Sequence, residues 1–196
     1  MIIHEVEQGS EEWLKLRLGK FTGSKANDLL MKETNKGYQN LIYQIAYERL
    51  TNEPIETYKN EWMQYGNEME DVARGQYQID TFNLVKQVGF IEKDEWIGCS
   101  PDGLVGENGI IEIKCVKWNT QISYLLDQKV PNNYLDQIQF NLWVSEREWC
   151  DFYSWHPKLN SFLMRIKRNE DQIKYIKSKI EEISKQDVLN LMEKLK

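Results

Sequence analysis

Cysteine is scarce and forms no pattern. The 196 residues hold three, Cys99, Cys115 and Cys150, an odd number without a C-x-x-C pair. That argues against a disulfide scaffold, a structural zinc site and an iron–sulfur cluster, and three unpaired thiols predict a reducing compartment. No apolar run approaches the roughly 18 residues of a membrane span, and Met1-Ile2-Ile3-His4-Glu5 lacks the basic and apolar segments of a signal peptide. The expectation is a soluble cytoplasmic protein. Repeats, low-complexity tracts and linkers are missing too, so residues 1–196 are expected to form one domain. Nor is there an excess of positive charge, the formal net being −6. That sum hides a division. Residues 157–196 carry ten Lys/Arg against six Asp/Glu, a net of +4, which leaves −10 for residues 1–156. An acidic body suits a cation site, and a basic end suits either a phosphate-bearing partner or a solvated helix.

Hydrophobic residues at 41% and aromatics at 12% supply a core. Ser10 followed by Glu11 and Glu12 opens a short helix, and Ser24 is expected to cap a second over residues 25–31. Apolar spacing predicts helices over 38–50, 61–80, 119–128, 132–145 and 169–194, with a loop over 51–60. Strand-like runs fall at 84–92, 95–99, 109–116, 149–156 and 161–167. The expected architecture is α/β (α+β): one central mixed sheet flanked by helices. N-terminal helices would occupy 10–80, the sheet and its helices 84–167, and a C-terminal helix 169–194.

The run Gly109-Ile110-Ile111-Glu112-Ile113-Lys114-Cys115-Val116 sets a problem. Strand side chains alternate, so Glu112 and Lys114 share one face while Ile111, Ile113 and Cys115 share the other. A carboxylate and an ammonium inside an apolar strand suggest a cleft. Asp102 lies ten residues earlier, within reach across a hairpin closed by Gly106-Glu107-Asn108-Gly109. Two carboxylates brought together repel unless a cation sits between them, and Mg²⁺ is typically held by one or two carboxylates plus substrate phosphate. A lysine beside it can orient or deprotonate a water. Asp-x₉-Glu-x-Lys thus holds the parts of a metal-dependent phosphodiester hydrolase, although Asp102 alone also suits a plain turn and Glu112–Lys114 a plain ion pair.

Cys99-Ser100-Pro101-Asp102-Gly103-Leu104 followed by Glu112-Ile113-Lys114-Cys115 resembles the core of the PD-(D/E)xK nucleases. The form is that of phage lambda exonuclease and the YqaJ-type viral recombinases. Three further blocks resemble that family in its order: Glu7-Gln8-Gly9 with Trp13 to Ser24, Gly66 to Arg74, and Tyr134 to Val144. The resemblance implies a restriction-endonuclease-like core and a 5′-to-3′ exonuclease acting on one strand of duplex DNA from 5′-phosphorylated ends. It implies Asp102, Glu112, Glu70 and the carbonyl of Ile113 as ligands of Mg²⁺, two ions per site, with Mn²⁺ as an alternative. Lys114 would align the attacking water and Gln137 would stand beside the metal site. Arg17 and Ser24, with Thr22 and Ser100, would receive the DNA 5′-phosphate. Glu68 rivals Glu70 on the same helix. A ring-shaped homotrimer, a single-strand annealing partner and a phage or prophage protein in a bacterial cytoplasm are further implications. An endonuclease on the same core, or an inactive DNA-binding relative, are the alternatives.

Overall fold

Three helices start where a side chain takes over an orphaned N–H group. Ser10 Oγ accepts the Trp13 N–H at 3.2 Å and opens α1 (Glu11–Arg17). Asn35 accepts the Gly37 N–H at 2.8 Å at the head of α3 (Lys36–Thr51). Asn169 accepts from Asp171 and Gln172 at α7 (Glu170–Ser178). The computed structural model describes residues 1–55 and 61–196, with 61–67 described by their backbone alone.

Between α1 and α3 the expected helix is shorter than its residues suggested. Gly23–Lys25 form a single 3₁₀ turn and α2 covers only Ala26–Leu29. Ser24 caps neither, because its hydroxyl is engaged with Arg17 and Thr22. α3 ends at Asn52 in the left-handed region (φ 57°). Of the loop expected over 51–60, Thr51 belongs to α3 and residues 56–60 lie outside the described part. α4 (Glu61–Thr81), α5 (Trp118–Asp127) and α6 (Asn132–Ser145) fall close to their expected positions. The C-terminal helix runs as α7, a π-helical segment Lys179–Ser184, and α8 (Lys185–Lys194). No described helix is long and apolar enough to cross a membrane.

The strands divide between two sheets where one was expected. The smaller has the order β1 (Ile2–His4), β4 (Phe90–Glu92), β5 (Ile97–Cys99), β2 (Phe21–Thr22). The larger runs β3 (Val85–Lys86), β6 (Gly103–Val105), β7 (Gly109–Cys115), β8 (Trp149–His156), β9 (Leu159–Lys167). The run 84–92 is therefore two strands of different sheets. Gly89 separates them, donating to the His4 carbonyl at 3.1 Å, where any side chain would meet the Val6 carbonyl. In the larger sheet β7 pairs antiparallel with β6 and parallel with β8.

Both faces of β7 are covered. Ile111, Ile113 and Tyr153 pack with Ala73 and Tyr77 of α4 in one apolar cluster. Ile110, Phe152 and Phe162 join Ile138, Phe140 and Leu142 in a larger one that includes α6. Glu112 and Lys114 share the α6 side, where Gln137 and Tyr134 of that helix cover them.

Candidate active site

Two three-residue segments join the sheets: Gln87-Val88-Gly89 runs from β3 to β4, and Ser100-Pro101-Asp102, the link that carries the site, runs from β5 to β6. The Nε2 of Gln8 clamps it by donating to the carbonyls of Val88, at 2.9 Å, and Pro101, at 3.1 Å. One end of this link serves a cluster around Arg17, the other a cluster around Glu112.

At the Glu112 end, Gly103 pairs with Ile111, so continuing the register by one brings Asp102 level with Glu112. β6 stops there, which frees the edge of β7. The Ile113 N–H finds no strand partner on that edge and donates to Asp102 Oδ2 at 2.6 Å. A strand residue turns its N–H and C=O to the same edge, so the Ile113 carbonyl also faces the side where Asp102 lies. Glu112 is 1% exposed. Its Oε1 accepts from Lys114 Nζ and from Gln137 Nε2, each at 2.6 Å, and Asn141 Nδ2 stands 3.5 Å from Oε2.

The third expected carboxylate comes from the other face. Glu70 of α4 lines a cleft of about 1120 Å³ together with Asp102, Trp13, Asp71 and Arg74. It also forms the i,i+4 pair with Arg74, at 2.5 Å, that a purely structural role would require. Arg74 in turn donates to the Asp102 carbonyl at 3.3 Å, tying α4 to the link. Ala73 and Tyr77 of the same helix are buried against β7 and β8. Glu68 is exposed.

Burial and like charge act together at this end. Burial first, then the nearby charge of Glu112, pushes the Asp102 carboxyl well above its ordinary range. Burial raises Glu70 as well, against the pull of Arg74 and Lys114. For Lys114, burial favours the neutral amine, but Glu112 and Asp102 together outweigh it and hold the ammonium. In this metal-free state Lys114 is a donor.

Among the described residues, no three His, Cys, Asp or Glu side chains stand close enough to enclose a metal ion. Mg²⁺ needs no such cage, since it keeps waters and takes substrate oxygens. The donor set fits that mode: hard oxygens only, from Asp102, Glu112 and the Ile113 carbonyl, with Glu70 alongside. The cleft itself carries Glu5, Glu7, Glu70, Asp71 and Asp102 against Arg74 and Lys86. A phosphate chain entering such a cleft is repelled unless a cation enters with it.

At the other end of the link Arg17 gathers all three hydroxyls assigned to it. Its Nη1 donates to Ser100 Oγ at 3.2 Å; its Nη2 reaches Ser24 Oγ at 3.2 Å and Thr22 Oγ1 at 3.4 Å. The guanidinium lies over the Trp13 ring at 4.2 Å, and the Trp13 indole N–H donates to Ser100 Oγ at 2.9 Å. No carboxylate lies within ion-pair distance of Arg17 among the described residues. Burial lowers its pKa to about 10. A desolvated cation surrounded by neutral hydroxyls is a prepared anion site. The proposed helix N-terminus at Ser24 contributes nothing here, α2 being a single turn.

Sequence reasoning did not assign roles to Gln8, Trp13, Arg74 or Asn141. All four stand inside the motif blocks, and Asn141 follows Gln137 by four residues, which on a helix is the same face. Gln139 lies elsewhere, bonded to the Lys167 carbonyl and the Asn169 N–H.

A strand–hairpin pair delivering Asp, Glu and Lys beneath a covering helix defines the class as a PD-(D/E)xK nuclease-type core. The chain belongs to the YqaJ-like viral recombinase family, whose model matches residues 12–148. It is similar along 95% of its length to an alkaline exonuclease from Laribacter hongkongensis (34% identity, 96% of that chain, TM-score 0.87). The same exonuclease in complex with dAMP gives a TM-score of 0.88 at 34% identity, with the same shares of both chains covered. A phage-related exonuclease from Haemophilus somnus 129PT shares the fold at 15% identity (90% of this chain, 96% of that one, TM-score 0.71). No curated protein matches the chain.

Proposed function

We propose that the protein is a Mg²⁺-dependent exonuclease that digests one strand of duplex DNA from a 5′-phosphorylated end. It releases mononucleotides and leaves a 3′ single strand for phage-type recombination. The observation that carries this reading is the link Ser100-Pro101-Asp102. Its first residue belongs to the Arg17 anion site and its third to the carboxylate site, roughly 7 Å of backbone apart. An end-phosphate held by Arg17 therefore sets the next phosphodiester beside Asp102 and Glu112. Kinship with an alkaline exonuclease at 34% identity supports the reading, as does that protein's complex with dAMP, a nucleotide monophosphate.

Mg²⁺, when bound, would supply an activated water and neutralise charge at the leaving oxygen. The protein's own groups do the rest. Asp102 spends Oδ2 on the Ile113 N–H, which fixes the carboxylate and leaves Oδ1 for a cation. Gln137 and Lys114 hold Glu112 from the α6 side. The Lys114 ammonium has further N–H groups with which to hold a water or a phosphate oxygen. Arg17 offers a fork to the terminal phosphate, and each released nucleotide leaves a new 5′-phosphate for the same pocket.

The test uses linear duplexes labelled at either end, with 5′-phosphate or 5′-hydroxyl termini, beside a closed circle, in Mg²⁺ and in EDTA. The expected products are mononucleotides from the phosphorylated 5′ end, in Mg²⁺ only, with the circle intact. Cutting of the circle would make the protein an endonuclease on the same core. Unchanged DNA in every lane, from wild type and Asp102→Asn alike, would make it an inactive relative.

A further inference from the structure

Gln137 and Asn141 leave α6 on one face and take different oxygens of Glu112. Asn141 is 1% exposed, yet its Oδ1 has no hydrogen-bond partner among the described residues. A buried acceptor left unpaired opposes folding, and native proteins hold few of them. Turning the amide over gives no relief, because its oxygen would then face the Glu112 carboxylate. So the nitrogen faces Glu112 and the oxygen is pressed against Gly23, where a Cβ would fall 2.0 Å from Oδ1 and 2.9 Å from Cγ. Gly23 is the middle of Thr22-Gly23-Ser24, whose outer hydroxyls hold Arg17. The Asn141 carbonyl also accepts from Ser145 Oγ at 2.6 Å and lies 4.0 Å from the sulfur of Cys99, the residue before Ser100. One buried residue thus touches both ends of the site.

We infer that Asn141 is a positioning residue: its carboxamide braces the Thr22–Ser24 turn against the Glu112 carboxylate and sets the spacing between the phosphate-receiving hydroxyls and the bond to be cut. The inference rests on the functional reading above. It makes discrimination for a 5′-phosphate depend on a side chain buried behind the site, and it explains why only glycine fits at position 23.

The experiment compares wild type with Asn141→Ala, Gly23→Ala and the double variant. Two ratios are read, each for 5′-phosphorylated over 5′-hydroxyl duplex: affinity by fluorescence anisotropy in EDTA at low salt, and single-turnover rate in Mg²⁺. Asn141→Ala is expected to narrow both ratios and to slow cleavage of the phosphorylated duplex by about 10- to 100-fold, the range for residues that orient site ligands. Gly23→Ala should act in the same direction. The double variant should be no worse than the worse single one, because both break one contact. Asn141→Leu, which removes the amide while filling its place, provides the same readings should the alanine variant not fold. Wild-type ratios in the folded variants, equal slowing on both duplexes, or fully additive losses would overturn the inference alone. A wild type that is inactive, or indifferent to the terminal phosphate, overturns the functional reading and the inference with it.

Discussion

At the scale of single residues, the site is a set of charges held where water is scarce, and its predictions follow from which charge lacks a partner. Arg17 has hydroxyls and no carboxylate, so its fork geometry matters as much as its charge. Arg17→Lys keeps the charge and loses the fork. Its preference for 5′-phosphorylated over 5′-hydroxyl duplex should fall roughly tenfold, about the loss of one good charge-assisted hydrogen bond. Paired end-labelled duplexes measure this, and an undiminished preference would remove Arg17 from the phosphate site. Lys114 is the cation beside a carboxylate that is 1% exposed. Lys114→Ala strands that carboxylate and should lower metal-free stability by about 3 kcal/mol. Urea unfolding in EDTA reads the loss, and Mg²⁺ should restore part of it; a midpoint equal to wild type would deny the pairing. Asp102, Glu112 and Lys114 were legible from residue type and spacing, and Arg17 only from the family resemblance. Asn141 was not, because nothing in a sequence announces that an asparagine lies against a glycine more than a hundred residues earlier.

At the scale of elements, the small sheet carries the Arg17 cluster and the large one the carboxylates. What aligns the small sheet therefore aligns the proposed phosphate pocket. Glu92 in β4 accepts from His4 of β1 at 3.0 Å and from Lys20, next to β2, at 2.9 Å. Burial pushes its carboxyl up, but the hydrogen bonds from Lys20 and His4 outweigh it and hold it below the ordinary value of 4.5. A depressed carboxyl contributes stability above its unfolded value and loses it as pH falls through the folded one. Glu92→Gln should thus melt below wild type at neutral pH, with the two curves converging as pH drops below about 4. A gap that stays constant from pH 7 to pH 3 would show that the charge contributes nothing. Long elements were legible: β8 and α6 fall on their expected bounds because each is long enough for its apolar residues to recur. The two- and three-residue strands β2, β3 and β6 were not, since so short a run has no period to read.

At the scale of the whole molecule, the formal charge of −6 is unusual for a protein proposed to hold DNA. A ring that encloses the duplex would resolve this by turning basic groups inward, and a homotrimer is the proposed form. Sedimentation should then give about three times the 23.4 kDa chain mass. A species of one chain mass at micromolar concentration would exclude the ring. The proposed single-strand annealing partner is a separate question, answered by co-elution of the two proteins from a sizing column.

The sequence by itself offered the candidates: residue type and strand alternation singled out Asp102, Glu112 and Lys114, and the family resemblance added Glu70, Arg17 and its hydroxyls. It also determined the long elements, whose apolar periods are local. Only the tertiary structure decided that there are two sheets, that Ser100-Pro101-Asp102 is a bridge between them, and that α6 roofs Glu112 with Gln137 and Asn141. Those facts depend on contacts between residues tens of positions apart, and such contacts are set by packing, which no local pattern records.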